Sequence, residues 1–429
     1  MESLPSASVD FIQLLRPLFR AEVFTSFSYL MLGILIGEAK DGTARASVFA
    51  DPTYWPQRLS DLFCRHKLSH QAFMAKLVEV ALACLYPTGL PARLFWLADS
   101  TYTEQPSAKR LASIGLFHRP KRVAGPAKPR HGHCDVLAAH LDKQATATRP
   151  RWARGHVGTG VYVKGRAIPP LVGAVAQQLR LPRTLRHVGL GDRGMLRRPL
   201  LRALEGLGHR GVGTVRCTQV VSCAPPAAGG QTAPRQRRPR VYGQQWRVDQ
   251  LRRHCPERLR EQQMGLRVQG RERLVRLWDT EVLRRGVWRG RALPVRVLSS
   301  VVPGLKLKPW AWLTTDRERE PPEAGRAYDG RYHIEVHSDA VKEVGLAHSQ
   351  GRRAQGSRRW PLFLSLGQMS LKFSATGGLA GPLPKLPWPW YTREKTVGHV
   401  RRRWIEACHP RISCVKVDRP IRPKLAKAA

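Results

Sequence analysis

The sequence predicts an α/β fold, a mixed sheet flanked by helices, preceded by an all-helical N-terminal domain. Three observations carry this. Apolar residues recur at helical spacing from about Val9 to Leu85, as in Phe11, Leu14, Leu15 and Leu18. Beyond Leu94, short apolar runs of strand length alternate with helical stretches. Hydrophobic residues make up 42% of 429 residues, which supplies a core for two or three domains and excludes global disorder.

The N-terminal domain spans residues 1–88. Its helical pattern resumes at Leu59, Leu62 and Phe63, then at Phe73, Leu77 and Val80, with Ser69 as N-cap. The most apolar run, residues 23–37, is shorter than a spanning helix needs and contains Thr25, Ser26 and Ser28. It reads as a buried core helix, so no membrane partner is expected. The first residues carry no basic region of the kind that opens a signal peptide.

Strands come next. Residues 94–98 form a short apolar run ending in Asp99. Residues 121–151 are basic and rich in Gly, Pro and His, which predicts a loop lying over a polyanion. Residues 158–172 and 186–190 read as strands, the second followed by Gly191-Asp192-Arg193-Gly194. A helix is predicted over 196–207 and a strand over 213–216. Residues 224–240 are rich in Pro, Gly, Gln and Arg, a loop or linker. Strand-like pieces at 274–277, 287–289, 295–299 and 310–314 suggest an inserted sheet of hairpins. Helices are predicted around Glu335 and over 360–369. A Gly/Pro-rich break at 377–389 separates these from a final helix at 396–407 and a basic tail. No internal repeat is visible.

The formal charge is +42, with 73 Lys plus Arg against 31 Asp plus Glu. A field of that size calls for a polyanionic partner, nucleic acid first and an anionic membrane surface second. A GC-rich genome explains Arg replacing Lys but not the scarcity of acids. The basic residues are spread along the chain rather than gathered on one amphipathic helix, which disfavours the membrane surface. Eight Cys are scattered with no C-x2-C pair, which argues against a zinc ribbon and suits a reducing cytoplasm. His131, His133 and Cys134 cluster without a second ligand pair.

With so few acids, their placement is informative. Asp99 and Asp192 each end a predicted strand, and strand-end carboxylates point into the crevice at a sheet edge. Tyr328, Arg331, Glu335 and Lys342 follow the spacing Y-x2-R-x3-E-x6-K. Read as one helix, these steps of three, four and seven put four side chains on one stripe. One acid would then hold a metal while its neighbours hold a phosphate backbone. The same spacing also suits a solvated helix face, and an Asp after a strand also suits a turn or helix cap. Asp99, Asp192 and Glu335 together offer hard oxygen ligands for two Mg²⁺ or Mn²⁺ ions.

The segments Trp96-Leu97-Ala98-Asp99-Ser100-Thr101, Gly191-Asp192-Arg193-Gly194 and 328–342 together resemble a DDE transposase. More narrowly, they resemble the bacterial insertion-sequence branch with the Y-x2-R-x3-E-x6-K signature. Similar texture continues through Gly345, Leu346 and Gln350 and in Pro387-Trp388-Pro389-Trp390-Tyr391, so the likeness covers roughly residues 90–395. The resemblance implies a ribonuclease-H-like catalytic domain over residues 89–395, with a β-rich insertion at about 224–320. Residues 396–429 would follow as a C-terminal helix and tail. It implies Asp99, Asp192 and Glu335 as catalytic metal ligands, and Tyr328, Arg331 and Lys342 as contacts to phosphates near the element's end. Trp310 resembles, by position, a tryptophan that stacks a flipped base in relatives that cut through a hairpin; Trp312 is its nearest rival. The partners implied are double-stranded DNA, both element ends and target, and a second copy of the chain on that DNA, in a cytoplasmic, nucleoid-associated setting. Two alternatives stay open: a DNA-binding relative without catalysis, and a two-metal nuclease on the same fold.

Overall fold

The computed structural model describes residues 6–36, 55–86, 88–105, 113–117, 129–145, 150–179, 181–192, 195–224, 242–268, 271–288, 291–305, 310–346 and 354–376. The linker at 224–240, apart from Ala224, lies outside them, as do Arg193, Gly194, the Pro/Trp segment at 387–391 and the predicted helix at 396–407. The chain divides into two compact units, Met1–His66 with Ser370–Ala429, and Lys67–Met369. The protein is mixed α/β with one large mixed sheet and several helices.

The first unit holds α1 (Ser6–Gln13), α2 (Ala21–Ile36) and α3 (Trp55–Cys64). The 23–37 run forms α2, and Phe27, Leu30, Met31, Ile34 and Leu35 are fully buried on it. The hydroxyls of Thr25 and Ser28 donate to the carbonyls of Ala21 and Phe24, at 3.2 and 2.9 Å, so apolar surroundings do not leave them unpaired. Phe19 stacks on Phe27 with ring centroids 4.5 Å apart. Among the described residues no helix is long and apolar enough to cross a membrane.

The second unit opens with α4 (His70–Leu85), capped as predicted: the Ser69 hydroxyl accepts from the Ala72 amide at 3.2 Å. Its sheet is built from β1 (Arg93–Glu104), β2 (Ile114–Phe117), β3 (Arg130–Ala145), β4 (Pro150–Val161), β5 (Arg186–Gly191) and β6 (Arg210–Val215). It continues through β7 (Val220–Ser222), β8 (Gln245–Arg247), β9 (Arg260–Val268), β10 (Arg271–Arg284), β11 (Leu293–Val301) and β12 (Trp310–Thr314). The order is β2-β3-β1-β5-β6-β12-β11-β10-β7-β8, with β4 also on β3 and β9 also on β10. Only β1–β5 and β5–β6 pair in parallel. Between β4 and β5 runs α5 (Ile168–Gln178), and between β5 and β6 runs α6 (Arg198–Gly206).

Several sequence expectations change. Residues 130–145 are not a loop but a long strand paired on both sides. Its core, Cys134 and Val136 to Ala139, is at most 2% exposed, and the buried polar residues His133 and Asp135 disguise that apolar centre. Alternation puts His133 and Cys134 on opposite faces of the sheet. The strand predicted over 158–172 ends at Val161, and α5 starts at Ile168, because Pro169 and Pro170 fit a first helical turn whose amides need no partner. Of the strand predicted over 287–289, residues 287 and 288 are not strand, and 289 lies outside the described residues: Gly286 takes a φ of +73° and turns the chain after β10. Val287 and Trp288 then face α6, where the Trp288 indole N–H donates to Glu205.

The strands after residue 220 do not form a separate sheet. β12 pairs antiparallel with β6, from Ala311↔Val215 to Thr314↔Val212, so the hairpins extend the central sheet directly. On its other side, β6 needs glycine to pair with β5. A Cβ on Gly213 would come within 2.5 Å of the Gly191 carbonyl oxygen, immediately before Asp192. Gly213→Ala is therefore expected to cost roughly 1–3 kcal/mol through overpacking. Urea unfolding would register it as a lower midpoint at unchanged m-value.

A single-turn α7 (Leu251–His254) follows β8; after β12 come α8 (Pro321–Asp329), α9 (Tyr332–Glu343) and α10 (Ala354–Thr376), whose residues from Ser370 on are counted with the first unit. The predicted single helix through Tyr328 and Glu335 is two. Gly330 and Arg331 keep helical dihedrals, but the amides of Gly330, Arg331, His333 and Ile334 bond three residues back rather than four. Helix α10 extends well beyond the predicted 360–369, with Pro361 inside it.

Candidate functional site

The site is set by strand register. Parallel pairing of β1 with β5 runs from Arg93↔Arg186 to Leu97↔Leu190. One further pleat places Asp99 on β1 level with Asp192, just past the end of β5. Trp96, buried at 1% exposure, lies over Gly189, where a Cβ would sit 2.7 Å from the indole. That close approach fixes the two strands side by side. The Ser100 amide donates to Asp99 Oδ1 at 2.7 Å. Asp192 Oδ1 accepts from the Met195 amide at 2.9 Å, so this aspartate also shapes the turn into α6.

Helix α9 packs on the face of β1, β3 and β4. Its Ile334, His337, Ser338 and Val341 are buried, and the His337 ring lies 3.2 Å, nitrogen to nitrogen, from His156 of β4. Glu335, on the exposed shoulder of the same helix, is reached through Arg331. The Arg331 guanidinium bonds Glu335 and stands 3.6 Å from Asp99 Oδ2. The tightened three-residue turn also sets Arg331 over the Tyr328 ring, 5.9 Å from its centroid. Tyr328 in turn hydrogen-bonds Thr214 of β6 at 3.1 Å and meets Trp312 edge-on. Asp99, Glu335, Arg331 and Tyr328 thus form one connected set, with Asp192 beside it.

Two predicted residues stand apart. Lys342 pairs with Asp339 at 3.3 Å on the exposed side of α9 and makes no described contact with the acids. Trp310, at the start of β12, is 39% exposed, while Trp312 is 4% exposed in a cluster with Met264, Leu277 and Leu298. An accessible ring face therefore belongs to Trp310, and Trp312 serves the core.

Electrostatics mark the site as cation-demanding. Burial, and then the neighbouring Asp192, push the Asp99 carboxyl up to about 6, against the pull of Ser100 and Arg331. Burial opposes the Arg331 charge, but Tyr328, Glu335 and Asp99 more than offset this and hold its pKa above the ordinary value. Burial likewise raises the Tyr328 phenol. Asp99, Asp192 and Glu335 are hard oxygen donors of the type that suits a divalent cation, and a cation beside the first two would relieve their repulsion. In the present arrangement that countercharge is Arg331, and among the described residues no three acid, His or Cys side chains converge on one point.

Sequence reasoning missed two groups. Asp135 lies on β3 opposite Thr101, on the same face as Asp99, and is 2% exposed. Burial pushes its carboxyl up to about 7. Its only signal was a lone acid within an apolar run. The other group is a set of arginines, Arg197, Arg198, Arg216 and Arg284, lining a cleft that opens beside Asp192, Tyr328 and Arg331. They come from elements far apart in the chain, so no local spacing betrays them. No family model matches the chain, and no curated protein matches it.

The raised Asp99 pKa has a consequence for stability. A carboxyl that ionises at about 6 when folded and near 4 when unfolded favours the folded state only while protonated. Its contribution is present below pH 4 and is lost as pH rises from about 4 to 6, by something on the order of 2–3 kcal/mol. Asp99→Asn is expected to be more stable than the wild type at pH 7.5 by about that amount and nearly equal at pH 4. Urea titrations at the two pH values check this, and equal gains at both would contradict the burial and repulsion assigned to Asp99.

Proposed function

We propose that the protein is a transposase, a metal-dependent DNA nuclease and strand transferase that binds the ends of its own mobile element. The observation that carries this reading is the level placement of Asp99 on β1 and Asp192 just past the end of the parallel neighbour β5, with Glu335 joined to Asp99 through Arg331. The order of β4, β3, β1, β5 and β6, with the acids at the centre, supports a ribonuclease-H-like core. The net charge of +42 supports a DNA partner.

Asp99, Asp192 and Glu335 would hold two Mg²⁺ or Mn²⁺ ions. When bound, such ions activate the attacking oxygen and stabilise the leaving one. The chain's own residues do the rest. Tyr328 and Arg331 offer an O–H and a guanidinium beside the acids, both suited to the non-bridging oxygens of a phosphodiester. An arriving phosphate competes with Glu335 and Asp99 for Arg331, so substrate binding frees the carboxylates. In cutting, water adds to phosphorus, the bond to the 3′ oxygen breaks, and a 3′-hydroxyl and a 5′-phosphate result. In joining, that 3′-hydroxyl adds to a target phosphodiester and a target 3′-hydroxyl leaves, so one phosphoester is exchanged for another. Lys342, on the outer side of α9, would meet the DNA farther from the acids. Trp310 presents a ring on which a displaced base could stack. Joining two ends calls for two copies of the chain on the DNA.

The test uses a plasmid carrying the element's flanking ends, with Mg²⁺, beside the Asp99→Ala protein. The wild type should cut at the ends, and Asp99→Ala should bind the same DNA without cutting. Arg331→Ala should weaken binding or misplace the cut. Cutting by Asp99→Ala at the wild-type rate refutes the site. Binding without cutting by the wild type, in Mg²⁺ and in Mn²⁺, supports instead a DNA-binding relative without catalysis.

A further inference from the structure

The cleft beside Asp192 has a volume of about 840 Å³, and five of its eleven lining residues are arginines against one acid. Pockets for small apolar ligands are lined mainly by hydrophobic groups with a few polar ones; this one is the reverse. Arg197 and Arg198 stand at the start of α6, Arg216 follows β6, and Arg284 ends β10, so three separated pieces of chain bring positive charge to one space.

These arginines differ from others on the same sheet. Arg296 lies 3.6 Å from Asp279, Arg317 is 3.3 Å from Glu281, and Arg319 is 3.4 Å from Asp316. Among the described residues Arg197, Arg198, Arg216 and Arg284 form no ion pair. Arg284 is the most telling: its Nη1 is buried with no hydrogen-bond partner, and burial lowers its pKa. A half-buried guanidinium facing a cleft with no carboxylate in reach is costly unless an anion fills the space.

We infer that this cleft is a phosphate track, holding the phosphodiester backbone of one DNA strand next to the phosphate at the acids, with Arg216 and Arg284 as its principal contacts. Naming DNA as the polyanion rests on the reading under Proposed function; the anion site itself rests on the cleft. A single inorganic ion is too small for this space, and a chain of phosphates matches cations delivered from several elements. Gln219, which also lines the cleft, adds an amide able to donate to a phosphate oxygen.

The experiment measures binding of the full chain to a labelled duplex carrying the element end, by fluorescence anisotropy across KCl concentrations. Wild type is compared with Arg216→Gln, Arg284→Gln, Arg284→Lys and Arg317→Gln. Each lost phosphate contact should reduce the slope of log K against log salt by about 0.9. Arg216→Gln and Arg284→Gln should each show that loss and a several-fold weaker affinity at low salt. Arg284→Lys should recover most of the slope, and Arg317→Gln, whose partner is Glu281, should match wild type. Arg216 is exposed, so its variant carries the test if Arg284→Gln does not fold. Wild-type slope and affinity in both glutamine variants would overturn the inference and leave the transposase reading intact if wild type still cuts. Reduced slopes in a wild-type background that never cuts would sustain the track and sink the transposase reading. No binding by the wild type would overturn both.

Discussion

Everything at the candidate site depends on the parallel pairing of β1 with β5. Five residue pairs fix its register, and the indole of Trp96 seated over Gly189 holds it. Only β5 ends here, at Gly191; β1, predicted to end at Asp99, runs on to Glu104 because its pairing with β3 continues after its pairing with β5 stops at Leu97. Because the paired strands run the same way, two aspartates placed two residues beyond the last pair are brought side by side without any contact of their own. Their mutual repulsion is the electrostatic cost of that placement, visible in the raised Asp99 carboxyl. The fold tolerates it because burial energy along the strands far exceeds the cost of one strained carboxylate pair.

The second constraint is the tightened turn at Gly330 and Arg331. An uninterrupted α-helix would carry Tyr328 and Glu335 on one stripe, as the spacing alone suggests. The three-residue bonding instead brings Arg331 above Tyr328 at its start while Arg331 still reaches Glu335 one turn on. Arg331 thereby becomes the hinge of the charge arrangement. It pairs with both Asp99 and Glu335, and it is itself one of the arginines that line the cleft. On the proposed reading, one cation serves the carboxylates when the site is free and a phosphate when it is filled.

How much of this was legible in the sequence follows from what each element depends on. Helices with an apolar face and a cap, such as α4 behind Ser69, declare themselves locally, and so do short apolar strands such as β1 and β5. The acids Asp99 and Asp192 were legible for the same reason, since each closes a recognisable run. β3 was not, because its polar residues are buried by neighbours on both sides that no local pattern reveals. β9 was not either: it is a charged strand along β10, and its pairing rather than its composition makes it a strand. The continuity of the hairpins with the central sheet rests on the pairing of β12 with β6, between residues about a hundred positions apart in sequence, which no local pattern reveals.

The arginines sharpen the same point about charge. A surplus of +42 suits a polyanionic partner but does not say where one would lie, since most charges on a basic protein are solvated or paired. The discriminating quantity is the partner each charge lacks. On the sheet extension, Arg296, Arg317 and Arg319 are spoken for by Asp279, Glu281 and Asp316, which removes them from the field a DNA strand would feel at close range. The arginines facing the cleft keep theirs. With 31 acids for 73 Lys plus Arg, most basic groups cannot each have a carboxylate of their own, so on the proposed reading the ones the fold leaves unpaired would decide where a DNA backbone lies. The sheet extension thus has a physical role beyond adding strands: by pairing the end of β10 with β7, the strand that follows β6, it delivers Arg284 to the same space as Arg216 and Asp192.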